Sequence, residues 1–317
     1  AHALGSDRIL DADVLSDRVQ QIKKWKERVF FITFAHHFNN NLCGHAHSIP
    51  NIATFLLNQD TGMNEGFTNL GRTVIREFLS LDATNDGNKS KGYRIHIDTK
   101  HMSAQSRLEY YNEILRPCLT KGDNIPIIAS HSGYSGVKTL SELVRNASNK
   151  LETDDYLVNK KVDGQHRKFY GWNINLCDED IEMIVKTEGL IGISFDERIL
   201  GYHKQKNKQE SIELFWNNLI GMVDVIIASN QLSPSEKKNA WTVFCIGTDN
   251  EGYINPIDKY PTAYHFQDFQ RDLVIKMTTE MKKQGMLAKY HISESDIPNI
   301  VKGISFDNAH RFLKKHL

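Results

Sequence analysis

Short apolar runs alternate with stretches of helical periodicity along this chain. The apolar runs are rich in β-branched and aromatic residues, as is typical of strands buried in a parallel sheet. They are residues 29–35, 93–98, 125–130, 190–195 and 241–247. The stretches with apolar residues at helical spacing are residues 69–81, 103–119, 177–189 and 211–229, with two more helices in the tail. An alternation at intervals of roughly 30 residues predicts βαβ units and a parallel sheet.

Two polar segments interrupt this alternation. Residues 149–171 and 203–210 predict surface loops, and the first is long enough to be a lid or an insertion. The helix at 103–119 is expected to begin at a Ser103 cap and to end at Pro117. We therefore expect a single α/β domain over residues 1–317 with a loop insertion around 149–171.

Composition and charge exclude several classes of protein. Lys+Arg and Asp+Glu both total 39, so the net charge is zero and no basic excess predicts a nucleic-acid partner. The four cysteines are widely spaced without a CxxC pair, which predicts buried free thiols. No apolar run approaches the roughly 18 residues of a membrane span. The first residues show no signal peptide, so the compartment is left open.

An ionisable residue lies at or just past the end of each of four predicted strands. These residues are His36, His101, His131 and Asp249. Parallel α/β barrels place their functional groups at the carboxyl ends of the strands, and three imidazoles with one carboxylate suit a metal such as zinc. Each histidine taken singly could be structural, and Asp249 alone could belong to an Asx turn. The joint pattern favours a metal site.

Several segments together resemble the membrane (renal) dipeptidase family of zinc peptidases in the amidohydrolase superfamily. The segments are ITFAHHFNN, GRTVIREF, IDTKHMS, IIASHS, NLCDEDI, IGTDNEG and SESDIPNIVKGISFDNAHRFL, in the family's order and spacing. They cover most of the chain. The resemblance implies a (β/α)8 TIM-type barrel. It also implies a zinc-dependent hydrolase that cleaves dipeptides or related small amides with a metal-activated water.

The resemblance further implies roles for single residues. His101 and His131 would ligate one zinc of a two-metal pair, and Asp249 would be the catalytic carboxylate that transfers protons. His36 would contact the substrate and help to hold the oxyanion. Asp98, three residues before His101, would either hydrogen-bond behind the ligands or simply cap the end of its strand.

The dense cluster FAHHFNNNLCGHAH is less informative than its composition suggests. His37 is the direct neighbour of His36, and we expect its side chain to point elsewhere. Cys43, His45 and His47 are expected to be loop residues rather than a second zinc site, because their spacing lacks a CxxC or HxxxH partner.

The chain lacks two metal-binding segments of the family. No His-x-Asp motif precedes His36, and the bridging glutamate is missing, because the opening AHALGS resembles the family's residues just after that glutamate. We expect the chain to be a piece of a longer protein. The preceding part would hold the first barrel strands and the ligands of the second zinc. A natural, metal-poor relative is the alternative.

The arginine that binds the substrate's carboxylate in the family is also missing. Ile174 stands in its place, so either Arg167 or Lys168 substitutes for it or the substrate is different. This leaves two alternatives to a dipeptidase. One is a hydrolase of another amide or ester, such as an N-acyl amino acid or a lactone. The other is a metal-free barrel homologue that acts as a binding protein. We expect a small peptide or amide as partner, no nucleic acid and no membrane span, and we leave a homodimer open.

Overall fold

The computed structural model describes residues 4–49, 57–201 and 211–317. The loop expected at residues 203–210 lies outside the described residues. The chain divides into two compact units. Unit 1 comprises Ala1–Ala129, Leu140–Asp154 and Trp172–Ile174, and unit 2 comprises Ser130–Thr139, Asp155–Gly171 and Asn175–Leu317.

Unit 1 contains short parallel strands and the helices that flank them. Its elements are α1 (Ala12–Lys23), β1 (Phe31–Thr33), α2 (Asn69–Phe78), β2 (His96–Asp98), α3 (Ala104–Tyr110), α4 (Arg116–Thr120), the first residues of β3 (Ile128–Ser132) and α5 (Leu140–Ser148). The parallel register aligns Thr33 of β1 with Asp98 of β2, and Asp98 with Ile128 of β3. The strands therefore form where the apolar runs predict them.

The helix predicted from Ser103 continues past Pro117. Ser103 caps it as expected, because its Oγ accepts a hydrogen bond from the backbone N–H of Ser106. A π-helical turn at Tyr111–Leu115 comes after α3, and the helical backbone continues through it into α4, which contains Pro117. The carbonyl of Glu113, four residues before Pro117, accepts a hydrogen bond from the side-chain amide of Asn85 at 2.7 Å instead. The predicted end at Pro117 is therefore wrong, and the helix runs to Thr120.

Unit 2 contains the rest of β3 and two further parallel strands. Its other elements are β4 (Leu157–Val162), β5 (Gln165–Tyr170), α6 (Asp178–Lys186), β6 (Leu190–Ile193), α7 (Glu197–Leu200), α8 (Ser211–Ala228), α9 (Pro234–Lys238), β7 (Phe244–Ile246), α10 (Phe266–Met281), α11 (Met286–Lys289), α12 (Ile297–Lys302) and α13 (Asn308–His316). β6 pairs in parallel with β7 and lies beside β3.

Two glycines allow these three strands to approach closely where the predicted site residues begin. A Cβ atom at Gly192 would lie 2.0 Å from the carbonyl oxygen of Ser130, and one at Gly247 would lie 2.1 Å from the same oxygen. Any side chain at either position would push the strands apart. The glycines therefore permit the close approach of the strand ends that carry His131 and Asp249.

The segment expected as a loop insertion contains an antiparallel hairpin. β4 and β5 pair along their full lengths, from Leu157 opposite Tyr170 to Val162 opposite Gln165. The connecting Asp163 and Gly164 have φ of 51° and 84°, as in the type I′ turn that an Asp-Gly pair favours. The expected loop is thus a hairpin over residues 157–170, and the Asp-Gly pair is the sequence signal for it.

Helix α8 lies in the core of unit 2. Its buried side chains include Phe215, Trp216 and Ile220. By length and composition its 18 residues could cross a membrane, with a mean hydropathy of 1.4, although the sequence analysis found no such run. Of that window, 67% is buried inside the protein, which is typical of a core helix.

The four cysteines are buried and none of them forms a disulfide, as predicted. Burial raises the pKa of the Cys43 and Cys245 thiols to about 12 and that of Cys118 to about 11. A buried thiolate loses its solvation, so these groups stay protonated near neutral pH.

The fold class is α/β with parallel strands and helices, as predicted. The strand order is β1-β2-β3 in unit 1 and β3-β6-β7 in unit 2, so each parallel strand neighbours the next one along the chain. These orders do not confirm a closed (β/α)8 barrel, which remains an expectation.

Candidate active site

Three histidines lie together at the carboxyl ends of β1 and β2 in unit 1. The ring centroids of His36 and His37 are 4.1 Å apart, and they lie 4.6 and 4.7 Å from that of His101. Each side chain offers one ring nitrogen, and these three atoms all lie within 4.8 Å of one another. Because β1 and β2 are parallel neighbours, the segments after them meet at one edge.

His101 is held firmly within this cluster. Its side chain is buried, with 5% of the residue exposed, and its backbone is left-handed with φ of 66°. The backbone N–H of Met102 donates to the carbonyl of Thr99 at 3.1 Å, and that of Ala46 donates to the carbonyl of His101 at 2.8 Å. Strained backbone of this kind concentrates at functional sites.

His37 belongs to the cluster, so the expectation that it points elsewhere is wrong. Its Nδ1 lies 2.7 Å from the Oγ of Ser48, which also accepts a hydrogen bond from Gln59 Nε2 at 2.9 Å. An imidazole that binds a metal usually has its other ring nitrogen hydrogen-bonded to a fixed group. Ser48 supplies such a group for His37.

Asp98 is fully buried at the end of β2. Its carboxylate accepts a hydrogen bond from Thr33 Oγ1 at 2.8 Å and one from the backbone N–H of Lys100 at 3.1 Å. The first bond joins β1 to β2, and the second orders the turn that leads to His101. Asp98 therefore supports the cluster through the backbone, while a direct role behind a metal ligand stays a prediction.

The other members of the histidine-rich segment pack inside unit 1. Both ring nitrogens of His45 lie 3.2 Å from backbone carbonyl oxygens, and burial lowers the pKa of this imidazole. His47 stacks on Trp172 with ring centroids 4.0 Å apart. Cys43 is buried as well. These residues lie outside helices, as predicted, but they are packed in the interior rather than exposed.

His131 and Asp249 lie together in unit 2. His131 is in β3, and its Nδ1 lies 2.8 Å from the Oγ of Ser130. Its Nε2 lies 3.7 Å from Oδ2 of Asp249, which comes after β7 and has a left-handed backbone with φ of 53°. Both side chains are partly exposed. An imidazole beside a carboxylate can transfer protons to and from a bound substrate.

Arg167 is committed to the interior of unit 2. Its guanidinium bonds both carboxylate oxygens of Asp163, at 3.3 and 2.7 Å, and lies 3.4 Å from Glu213 Oε1. It also donates to the side-chain oxygen of Asn217, and its side chain is only 5% exposed. A guanidinium satisfied in this way cannot bind a substrate carboxylate without breaking the network. Of the two possible substitutes for the missing arginine, only Lys168 is exposed.

The structure thus places the predicted site residues in two groups. It brings His36 together with His101 in unit 1, and His131 together with Asp249 in unit 2. The sharing of one zinc by His101 and His131 stays a prediction. His37 is the residue that sequence reasoning missed. The signal for it was a second histidine directly after the strand.

No family model and no curated protein matches the chain. The solved structures similar to it include the following three. One is a metallopeptidase from Rhodobacter sphaeroides liganded with a phosphinate mimic of the dipeptide L-Ala-D-Ala (14% identity, 76% of this chain and 48% of that chain, TM-score 0.40). Another is the dipeptidase AC, a metallopeptidase of family M19 (14% identity, 76% and 50%, TM-score 0.41). The third is the probable dipeptidase PvdM from Pseudomonas aeruginosa (15% identity, 93% and 67%, TM-score 0.41).

The first two are metallopeptidases, and the third is a probable dipeptidase. The chain spans about half the length of the first two. Their identities and TM-scores are too low to transfer the role of any residue to this chain.

Proposed function

We propose that this protein is a metal-dependent hydrolase that cleaves small amides, dipeptides among them, with a metal-activated water. The observation that carries the proposal is the cluster of His36, His37 and His101 at the carboxyl ends of two parallel strands. Catalytic zinc sites commonly use three protein ligands and leave one position open for water or substrate.

The donor chemistry of the cluster fits a zinc-like ion. Imidazole nitrogens suit zinc, copper, iron and nickel. Ligand atoms within 4.8 Å of one another are near enough for side-chain rotation to bring them onto one ion. Among these metals we propose zinc, because the sequence motifs resemble those of zinc peptidases. The second zinc of the resemblance would need ligands beyond this cluster.

The protein's own residues would bind the substrate and move its protons. A bound metal would supply an activated water and a polarised carbonyl. In unit 2, Asp249 is proposed as the carboxylate that transfers protons, with the imidazole of His131 3.7 Å away to orient it. His36 is the exposed member of the cluster, so it would either complete the three ligands or contact the substrate.

The (β/α)8 barrel is part of the same proposal. In both units each parallel strand neighbours the next parallel strand along the chain. A barrel winds its strands in this sequential order, whereas a doubly wound sheet reverses the order at a switch point. The sequential order supports the barrel.

Substitution of the cluster tests the metal site. We expect His101→Ala and His37→Ala each to weaken zinc binding more than about 100-fold. Loss of a group that is only hydrogen-bonded to a metal ligand already lowers metal affinity about 10–100-fold, and loss of the ligand itself should lower it more. Equilibrium dialysis with metal analysis measures this, and dipeptide hydrolysis should fall in parallel.

His166→Ala is the matched control, because His166 is an exposed histidine on the hairpin. It should bind zinc like the unchanged protein. Stoichiometric, tightly held zinc in both cluster variants would contradict the proposed site. A protein that binds no metal at all would favour the metal-free binding homologue.

Arg167 is buried and paired with Asp163, so it is not available to a substrate carboxylate. This favours a second candidate, a hydrolase of amides or esters that lack a free carboxylate. N-acyl amino acids and lactones are then tested beside dipeptides and their C-terminal amides. We expect kcat/KM for the free dipeptide to exceed kcat/KM for its C-terminal amide by less than about tenfold. An arginine that bound the substrate carboxylate would add about 1.5–3 kcal/mol, which corresponds to more than tenfold. A much larger preference for the free dipeptide would favour a dipeptidase over the second candidate.

A further inference from the structure

The backbone after His131 is tied to helix α7 by a buried asparagine. The N–H of Gly133 donates to Asn175 Oδ1 at 3.0 Å, and Asn175 Nδ2 donates to the carbonyl of Ile199 at 2.7 Å. A Cβ atom at Gly133 would lie only 2.6 Å from that carbonyl oxygen. The segment two residues after His131 therefore packs directly on α7.

A second buried asparagine repeats this connection one residue further along. The N–H of Tyr134 donates to Asn218 Oδ1 at 2.7 Å, and Asn218 Nδ2 donates to the carbonyl of Leu200 at 2.9 Å. Asn175 and Asn218 are both fully buried. Each amide therefore satisfies a helix-terminal carbonyl of α7 while it holds an N–H of the His131 segment.

The beginning of α7 is tied to the loop after Asp249. The N–H of Asn255 donates to Asp196 Oδ1 at 3.3 Å, and the N–H of Glu197 donates to the carbonyl of Asn255 at 2.8 Å. Glu197 Oε1 accepts a hydrogen bond from the N–H of Asp258 at 3.1 Å. These bonds join the start of α7 to residues 255–258.

Arg198 extends this connection toward Asp249. Its guanidinium bonds both oxygens of Asp196, at 3.0 and 2.7 Å, and donates to the carbonyl of Tyr253 at 2.8 Å. The preceding residue, Gly252, lies against the Asp249 carboxylate, where a Cβ atom would be 2.7 Å from Oδ1. The loop held by Arg198 therefore also supports the carboxylate.

We propose that α7 sets the separation between His131 and Asp249, and that Asn175, Asn218 and Arg198 are positioning residues for the proposed reaction. The inference rests on the proposed function for its kinetic consequence. Its structural part is independent of that function. The four-residue helix α7 is connected by hydrogen bonds both to the segment after His131 and to the loop after Asp249. A shift of α7 would therefore change the distance between His131 and Asp249.

Asn218→Ala and Arg198→Met test the proposal at the two ends of α7. We expect kcat to fall about 10–100-fold with KM changed less than about threefold, because a misplacement of about 1 Å costs a factor of this order. Crystal structures of the variants should show the separation of His131 Nε2 and Asp249 Oδ2 changed by about 1 Å. Arg198 is partly exposed, so its variant should fold even where Asn218→Ala does not.

Asn85→Ala and Arg271→Met are the matched controls. Asn85 is a buried asparagine of unit 1 that donates to the carbonyl of Glu113, and Arg271 is an exposed arginine in carboxylate pairs. Both controls should keep kcat and the separation. Equal loss of kcat in test and control variants, or an unchanged separation in the test variants, would overturn the proposal. If the unchanged protein turns over no substrate, the proposed function fails. The distance between His131 Nε2 and Asp249 Oδ2 in the variants then tests the role of α7 by itself.

Discussion

His101 and Asp249 both stand in left-handed backbone conformations, at φ of 66° and 53°. Aspartate tolerates this region better than histidine does, and both residues carry a conformational cost of order 1 kcal/mol or more. The sequence singles out each of them by its place after an apolar strand and by a motif of the resemblance. The strain is an independent observation, and it falls on residues already proposed for chemistry.

Glu152 is a buried carboxyl outside the candidate site. The backbone N–H of Asn173 donates a hydrogen bond to Glu152. The side-chain amide of Asn173 also donates to both carboxyl oxygens of Glu152, at 2.8 and 3.0 Å. Burial raises the pKa of Glu152 to about 7, against the opposing effect of these hydrogen bonds and of the Arg107 charge.

This pKa predicts a pH-dependent stability. Between pH 4.5 and about 7 the unfolded chain has lost the Glu152 proton while the folded chain keeps it. Stability therefore falls as pH rises through this window, by an amount on the order of 3 kcal/mol. Glu152→Gln should remove this part of the fall, and denaturant unfolding at pH 4 and pH 8 measures it.

Glu188→Gln is the matched control, because Glu188 is an exposed carboxyl in unit 2. Its stability profile should match that of the unchanged protein between pH 4 and pH 8. If Glu152→Gln gains no stability over the unchanged protein at pH 8, the buried carboxyl is already ionised at little cost.

Among the elements, the β4–β5 hairpin depends on its two-residue turn. Asp163 and Gly164 both have positive φ, and Asp163 also binds Arg167 through both carboxylate oxygens. The same aspartate thus closes the turn and anchors the second strand to α8 through Arg167, which also lies near Glu213.

Gly164→Ala should destabilise the hairpin by about 1 kcal/mol, although a Cβ atom there would meet open space. The cost comes from φ of 84°, not from a clash. Hydrogen exchange of the hairpin amides measures the loss. Gly87→Ala is the control, because its Cβ would also meet no close contact and its φ is not left-handed. Equal protection of the hairpin amides in Gly164→Ala and the unchanged protein would be evidence against a strained turn.

The elements were predictable to the extent that their signals are local. Strand apolarity and the Ser103 cap placed β1, β2 and α3 correctly. The helix end at Pro117 was not predictable in this way, because the π-helical turn before it changes the hydrogen-bond register. Tolerance of that proline depends on the register, which no single residue type indicates.

At the scale of the whole molecule, the sequence predicted which strands would bear chemical groups but not how the side chains would group. Parallel pairing of β1 and β2 is expected from their apolar runs, and it brings His36 near His101. The inclusion of His37 depends on a hydrogen bond to Ser48, eleven residues away, which no local pattern shows. Tertiary contacts likewise decided that Arg167 is buried.

The buried thiols have a consequence for how opening of the molecule can be measured. A thiol reagent needs access to the sulfur atom, and burial prevents that access in the folded protein. Cys43 and Cys118 lie in unit 1, whereas Cys177 and Cys245 lie in unit 2. The chain therefore carries two native chemical reporters in each unit, and the order in which they are modified would reveal which unit opens first.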